Sequence, residues 1–195
     1  PSASPTLTVT LTDDEVSPVA QFLGTNYLAQ EGQTFYLPLS LNNAVPEAFS
    51  LDYTVDLGAS NPVTLGSDTQ IAGSGTFTIA AGQTKTLIPI YLNNDSVYDN
   101  NETLRIVISN PSCPTLAACV ATGLGANDTI DILVKEEGES IPKITFTSSG
   151  QSANEGDTIN ITARVDKISQ QNQPFTVSIY NTSATNADHT GQGQW

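Results

Sequence analysis

Short stretches in which apolar and polar residues alternate recur along the chain, and they predict β-strands. In residues 7–12, hydroxyl side chains alternate with apolar ones, as expected of a half-buried strand. Residues 34–41 and 49–55 show the same pattern, and Pro38 predicts an edge or bulged position for the first of them. Four further strands are predicted at residues 75–79, 86–92, 104–108 and 129–134.

The segment around residues 13–28 lacks this alternation. It contains Phe22, Leu23 and Tyr27 without a clean period, which predicts a long loop or an irregular insertion. No stretch of the chain follows the helical period. Because turns separate the short strands throughout, the sequence predicts an all-β fold of the antiparallel β-sandwich type.

The pattern begins again near residue 141, which indicates an internal repeat. We therefore predict one sandwich over residues 1–140 and the N-terminal part of a second, incomplete copy over residues 141–195. The matched stretches are residues 143–147 with 7–11, 154–158 with 30–34, and 175–180 with 49–55.

Charge narrows the classes of partner. Lys and Arg number 6 against 20 Asp and Glu, which gives a formal net charge of -14. Attraction to nucleic-acid phosphates or to anionic lipid is therefore disfavoured, and cations are the natural partners. Since no run of 18 apolar residues and no basic-then-apolar leader is visible, neither a membrane span nor a signal peptide is expected.

Few residues offer nucleophilic or zinc chemistry. Cys113 and Cys119 are the only cysteines. A local disulfide between them would fit an oxidising, extracellular or periplasmic setting, and two buried thiols are the alternative. His189 is the only histidine, so a zinc site lacks ligands and a Ser or Cys nucleophile lacks a base. We therefore expect a protein that is not an enzyme.

Carboxylates gather between the strands predicted at residues 86–92 and 104–108. Asp95, Asp99 and Glu102 lie there among asparagines. Such a loop supplies only oxygen ligands and suits a hard cation such as calcium. A solvated polar turn would have the same composition.

Four motifs, taken in order along the chain, resemble the Calx-beta domain, the β-sandwich module of sodium-calcium exchangers, integrin β4 and many bacterial surface proteins. The resemblance covers residues 5–139 once and residues 141–195 in part, and it implies an immunoglobulin-like sandwich. The motifs are Glu31-Gly32, Gly66-Ser67-Asp68 with residues 75–84, the loop at residues 94–102, and Glu136-Glu137.

Calcium-binding members of that family hold the ion at one end of the sandwich with acids from these motifs. The family pattern departs here at Asn93 and Asn94, where Asp is common, and at Val134-Lys135, so we expect one or two ions of modest affinity. Two carboxylates about 4 Å apart repel by roughly 4 kcal/mol at an effective dielectric of 20, so a cluster needs a cation, protonation or splaying. The calcium ligands that the resemblance implies are Glu31, Asp68, Asp95, Val97 (through its carbonyl), Asp99, Glu102, Glu136 and Glu137.

These observations lead to the hypothesis of a non-enzymatic, calcium-binding segment of a larger extracellular surface or adhesion protein. Calcium would stiffen the end of the domain and the linker to the adjacent repeat. The expected partners are calcium ions, adjacent repeats, and a surface protein or glycan receptor. The alternatives are a plain structural spacer and a carbohydrate- or protein-binding sandwich. Sugar rings could stack on tyrosines in that case, and the candidates are Tyr27, Tyr36, Tyr53, Tyr91 and Tyr98.

Overall fold

The computed structural model describes residues 7–10, 16–99, 101–115, 123–138, 140–154, 156–170, 172 and 174–178. Within these residues it contains β-strands and no helix, so the predicted all-β fold is confirmed. No helix that could span a bilayer occurs in the described part of the chain.

Nine strands form the sandwich that we call the first unit. One sheet has the strand order β6-β3-β1-β8, and the other has the order β2-β9-β7-β4-β5. Neighbouring strands are antiparallel except in the pairs β1–β8 and β2–β9. The bounds are β1 Val19–Phe22, β2 Asn26–Gln30, β3 Thr34–Leu41, β4 Phe49–Val55, β5 Ser74–Ile79, β6 Lys85–Tyr91, β7 Glu102–Ser112, β8 Gly123–Leu124 and β9 Thr129–Lys135.

The core lies between the two sheets, because every second side chain of a strand points inward. In β7, Leu104, Ile106 and Ile108 are buried, while Arg105 between them lies on the outer face of the sheet. There its guanidinium forms an ion pair with Asp131 of β9, with 2.6 Å between Nε and Oδ1. The apolar positions of the alternating pattern therefore face the core, and the polar positions face the surface.

The prediction of individual strands is confirmed for β3 and β4, which have the predicted bounds, and for β5, β6, β7 and β9 within a few residues. The edge position predicted from Pro38 is wrong, because β3 lies between β6 and β1. Pro38 accepts a hydrogen bond from the Leu23 amide at 3.2 Å, so its ring nitrogen faces the point where β1 ends. The missing N–H therefore costs only the return bond to Leu23, one residue beyond the end of β1.

The predicted loop or insertion at residues 13–28 is wrong as well, since β1 lies within it and β2 begins in it. Only Ala20 and Phe22 of β1 point into the core, and β2 is an edge strand whose Leu28 is exposed, so neither shows a long alternation. The strand predicted at residues 7–12 is not formed at residues 7–10, where Leu7 and Val9 are exposed. Residues 11–15 lie outside the described residues.

The second copy begins with two short strands, β10 Ile144–Phe146 and β11 Ala163–Val165, and we call residues 143–178 the second unit. Ile144 pairs with Val165 as Ala20 pairs with Leu41, and the two pairs lie 124 residues apart in the chain. β10 therefore corresponds to β1, and the predicted match of residues 143–147 with 7–11 is wrong. The ladder register gives an offset of 124 residues, the same as the match of residues 154–158 with 30–34, whereas the match with residues 7–11 has an offset of 136.

Hydrogen bonds at the entrance of each unit support this correspondence. The Val19 amide donates to Asn42 Oδ1 at 2.7 Å, and the Lys143 amide donates to Asp166 Oδ1 at 2.7 Å. The return bonds, from the amides of Asn42 and Asp166 to the carbonyls of Val19 and Lys143, are both 3.1 Å. Equivalent hydrogen bonds therefore occur at the entrance of both units.

Several predictions fall wholly or partly outside the described residues. Cys119 lies there, so its disulfide with Cys113 stays a prediction, as does the division of the chain at residues 140 and 141. His189 and Trp195 lie there too. Of the strand predicted at residues 175–180, the part that is described, residues 175–178, has no strand structure.

We expect Ile106→Ala to lower the free energy of unfolding by about 2–5 kcal/mol, because it leaves a cavity in the centre of the core. Urea denaturation monitored by circular dichroism measures this change. The control is Leu87→Ala on the outer face of β6, where the side chain is 63% exposed and the expected loss is below about 0.5 kcal/mol. Equal losses for both variants would contradict the assignment of the core.

Candidate metal centre

The ladder registers bring the four acidic motifs to one end of the first unit. At that end Gln30 of β2 pairs with Lys135 of β9, so the chain leaves both strands side by side and Glu31 comes next to Glu136. Glu102, the first residue of β7, pairs with Val134 of β9. The acidic loop, residues 93–101, joins β6 to β7 at this same end.

The turn after β2 is shaped by Gly32. Its φ of +71° lies in the left-handed region that glycine adopts without strain. A Cβ at this position would lie 3.3 Å from Glu137 Oε2, so the absence of a side chain also lets the exit segment approach. The Glu31 amide donates to the Lys135 carbonyl at 3.0 Å, which fixes the start of the turn.

The turn that carries Asp68 is held by its own backbone. The Thr64 amide donates to Asp68 Oδ2, and the Asp68 amide donates to the Thr64 carbonyl at 3.0 Å. Asn93 of the acidic loop binds this turn through its amide, which donates to the Asp68 carbonyl at 2.8 Å, and through Nδ2, which donates to the carbonyls of Ser67 at 2.6 Å and Gly66 at 3.5 Å. Asn93, which stands where the family often has Asp, therefore positions the turn here.

Asp95 and Asp99 differ in their surroundings within the acidic loop. Asp95 Oδ1 accepts a hydrogen bond from the Val97 amide at 2.8 Å, and its Oδ2 accepts one from Ser67 Oγ at 2.6 Å. Asp99 is only 1% exposed, and its amide donates to Glu136 Oε1 at 2.5 Å. Asp95 thus ties the loop to the neighbouring turn, whereas Asp99 points into the cluster.

Five carboxylates form two overlapping groups. Glu31, Asp99 and Glu136 form one, and Asp68, Asp99 and Glu102 form the other. Within each group, one carboxylate oxygen from every residue lies within 4.8 Å of the others. Asp99 belongs to both groups, so the five side chains form one continuous acidic cluster.

The other three predicted ligands lie beside this acidic cluster. The carbonyl of Glu137 accepts a hydrogen bond from Asn94 Nδ2 at 3.1 Å, and its carboxylate reaches the Gly32 turn. Asp95 and Val97 lie in the acidic loop, bonded to each other. The structure therefore brings Glu31, Asp68, Asp99, Glu102 and Glu136 together, and all eight residues stay predictions as ligands.

Four of the five clustered side chains are buried and Glu136 is half-buried, and two oxygens of the cluster receive no hydrogen bond from an amide, hydroxyl or cationic side chain of the described residues. These are Asp68 Oδ1 and Glu102 Oε2, in side chains that are 1% and 3% exposed. Within the described chain, Lys135 is exposed and forms no ion pair with them.

Burial is the main reason that the pKa of Glu102 rises from its ordinary value of 4.5 to about 9. The Asp68 carboxylate adds to this effect by accepting the proton in a hydrogen bond and by its charge, and Asp99 and Glu31 add theirs. Without a cation, Glu102 therefore keeps its proton at neutral pH. The side-chain atoms of this cluster that could coordinate a metal are carboxylate oxygens. Buried oxygens of this kind suit a hard cation, so these residues fit calcium.

Two residues that the sequence did not single out support the acidic loop. Asn61 Nδ2 donates to the carbonyls of Asp99 and Asn101 at 3.0 and 3.3 Å. Gln170 of the second unit donates through Nε2 to Asp99 Oδ2 at 3.3 Å. In the sequence, Asn61 is recognisable only as a turn residue before a proline, and no spacing pattern connects Asn61 or Gln170 with Asp99.

The tyrosines considered for sugar binding do not share one surface. Tyr53 is buried and stacks on Phe77, with 4.2 Å between ring centroids, and Tyr27 packs against Phe35. Tyr36 and Tyr91 are exposed on the outer face of β3 and β6. Tyr98 lies in the acidic loop.

A model of the Calx-beta domain family matches residues 53–133 and 145–194 of this chain. The chain belongs to the Calx-beta domain family. The matched segments include three of the five clustered carboxylates, namely Asp68, Asp99 and Glu102. No curated protein matches the chain significantly.

Solved Calx-beta structures share the sandwich fold at low sequence identity. The apo form of the Calx CBD1 domain is similar with a TM-score of 0.50 and 16% identity, over 63% of this chain and 99% of that one. The Calx CBD2 domain gives 0.51 and 14%, over 62% and 88%. The calcium-binding domain CBD12 of CALX1.1 gives 0.50 and 18%, and the match covers 70% of this chain but about half, 51%, of that one.

The raised pKa of Glu102 predicts how stability of this Calx-beta sandwich depends on pH in the presence of a chelator. Between pH 4.5 and about 9 the folded state holds a proton that the unfolded chain has lost. The free energy of unfolding therefore falls as pH rises through this window, by up to about 1.4 kcal/mol per pH unit. Urea denaturation in chelator from pH 5 to 9 measures the slope.

Glu102→Gln removes this titration, so we expect a flatter profile and, at pH 8, a higher free energy of unfolding than in the wild type. Asp52→Asn, an exposed carboxylate on the outer face of β4, is the matched control and keeps the slope. A Glu102→Gln profile as steep as that of the wild type would contradict the prediction.

Proposed function

We propose that this chain is a calcium-binding segment of a larger extracellular protein, in which the ion stiffens the end of the sandwich and the joint to the next repeat. The observation that carries this proposal is the acidic cluster built around Asp99, in which buried oxygens of Asp68 and Glu102 receive no hydrogen bond from an amide, hydroxyl or cationic side chain of the described chain. Glu31, Asp68, Asp99, Glu102 and Glu136 would hold the ion.

The donor set favours calcium over other metals. Calcium takes six to eight oxygen ligands in a flexible arrangement, whereas magnesium demands a small, nearly octahedral site and retains waters. The cluster offers carboxylates from four separate segments of the chain and, among the described residues, no sulfur or imidazole group. Zinc, which prefers such groups, fits less well.

A bound cation would supply the positive charge that lets the clustered carboxylates ionise together. The protein's part is to position them. The Gly32 turn, the Asp68 turn, the acidic loop and the exit segment after β9 come from both sheets, so shared coordination would cross-link the layers at this end. This role is mechanical and regulatory, and we propose no catalysis.

The proposed setting is based on the charge of the chain. A net charge of -14 gives the protein no attraction to nucleic acids or anionic membranes and suits a calcium-rich medium. We propose an extracellular or cell-surface location, adjacent repeats of the same protein as neighbours, and a surface protein or glycan as the receptor of the whole protein. The family match to two segments of one chain supports a tandem arrangement.

We expect calcium to raise the free energy of unfolding by about 2.7 kcal/mol when its free concentration is 100 times its dissociation constant. Thermal melts in chelator and in millimolar calcium test this, and isothermal titration calorimetry gives the affinity. Magnesium at the same concentration should stabilise the protein less.

Asp99→Asn removes the charge that both carboxylate groups share, so we expect it to weaken calcium binding by roughly tenfold or more. Asp52→Asn makes the same chemical change away from the acidic cluster and should leave the affinity unchanged. A wild-type protein that neither binds calcium in the calorimeter nor melts higher with it would overturn the proposed function.

A further inference from the structure

A loop of the second unit lies against the acidic loop of the first. The Tyr98 amide donates to the Ile168 carbonyl at 3.3 Å, and Ser169 Oγ donates to the Tyr98 carbonyl at 3.0 Å. Tyr98 and Ser169 form an isolated parallel β-bridge. The contact therefore uses the backbone next to Asp99 and sets the distance between the two segments.

Gln170 extends this contact into the acidic cluster. Its Oε1 accepts a hydrogen bond from Thr64 Oγ1 at 3.2 Å, and its Nε2 donates to Asp99 Oδ2 at 3.3 Å. The Thr64 amide in turn donates to Asp68 Oδ2. One side chain of the second unit thus connects the two segments that carry Asp68 and Asp99.

The fold of the loop does not require these polar residues. Continued without a gap beyond Asn42 and Asp166, the 124-residue register of the repeat would place Val45 and Pro46 at the positions of Ser169 and Gln170. Val45 is buried in the core, and Pro46 has no side-chain hydrogen-bonding group. Ser169 and Gln170 therefore direct side-chain hydrogen bonds at the first unit.

We propose that residues 166–170 of the second unit are a docking element for the acidic loop, and that Gln170 is a positioning residue that holds the Asp68 and Asp99 segments for the cation. The proposal rests on the calcium-binding function proposed above. The amide occupies one lone pair of Asp99 Oδ2, and a carboxylate has about four such sites, so oxygens remain for an ion. By linkage, calcium binding and docking strengthen each other by the same factor.

The test uses the full chain and two variants. Gln170→Ala removes the connecting amide, and Gln151→Ala, an exposed glutamine of the second unit, is the matched control. In calcium calorimetry we expect Gln170→Ala to weaken the affinity by about two- to tenfold, as for the loss of one or two ordinary hydrogen bonds. Gln151→Ala should bind calcium as the wild type does.

Backbone ¹⁵N NMR gives a second readout. In chelator, the amide signals of Thr64, Tyr98 and Asp99 should shift in Gln170→Ala and not in Gln151→Ala. On addition of calcium, the relaxation of residues 163–170 should approach that of β7 in the wild type, and this gain in order should be smaller in Gln170→Ala.

The outcomes separate the two proposals. If the wild type binds no calcium, the proposed function fails, and the shifts in chelator still decide whether the docking exists. If calcium binds and Gln170→Ala leaves the affinity unchanged, Gln170 has no positioning role. If the signals of Thr64, Tyr98 and Asp99 also stay in place, the docking element is overturned.

Discussion

The burial of like charges at one end of the sandwich is the constraint on which the rest of the structure depends. Glu31, Asp68, Asp99 and Glu102 are each at most 3% exposed, and carboxylates at such sites must share protons, repel one another or bind a cation. A protein gains nothing in stability from such an arrangement alone. The acidic cluster therefore favours the binding of positive charge, and the Calx-beta sandwich is the frame that keeps the carboxylates from moving apart.

That frame is a consequence of ladder register. β9 pairs with β7 on one side and with β2 on the other, so the acids before and after these strands meet at one edge. β3 and β6 bring the acidic loop to the same end from the other sheet. A slip by one residue in any of these ladders would turn the adjoining acid to the opposite face. The apolar core, by fixing the register, also fixes the geometry of the charged end.

The sequence predicted the fold wherever alternation was long, as in β3 and β4, and failed where a strand was short or at an edge, as in β1 and β2. It predicted which acids would cluster because the motifs of the family mark them. It could not separate the five clustered carboxylates from Asp95 and Glu137, since that depends on the direction of side chains within loops. Asn61 and Gln170 were missed because only the tertiary structure brings them to Asp99, from 38 and 71 positions away along the chain.

The chemical difference between the loops at residues 45–46 and 169–170 gives the tandem pair of units a fixed order along the chain. Ser169 and Gln170 contact the acidic end of the preceding unit with side-chain hydrogen-bond donors. Val45 and Pro46 in their place would offer no side-chain donor. The two units are consequently not interchangeable, because exchanging their order would remove the side-chain hydrogen bonds that Ser169 and Gln170 make across the joint. The order of the two units therefore depends on two loop residues, Ser169 and Gln170, rather than on the sandwich.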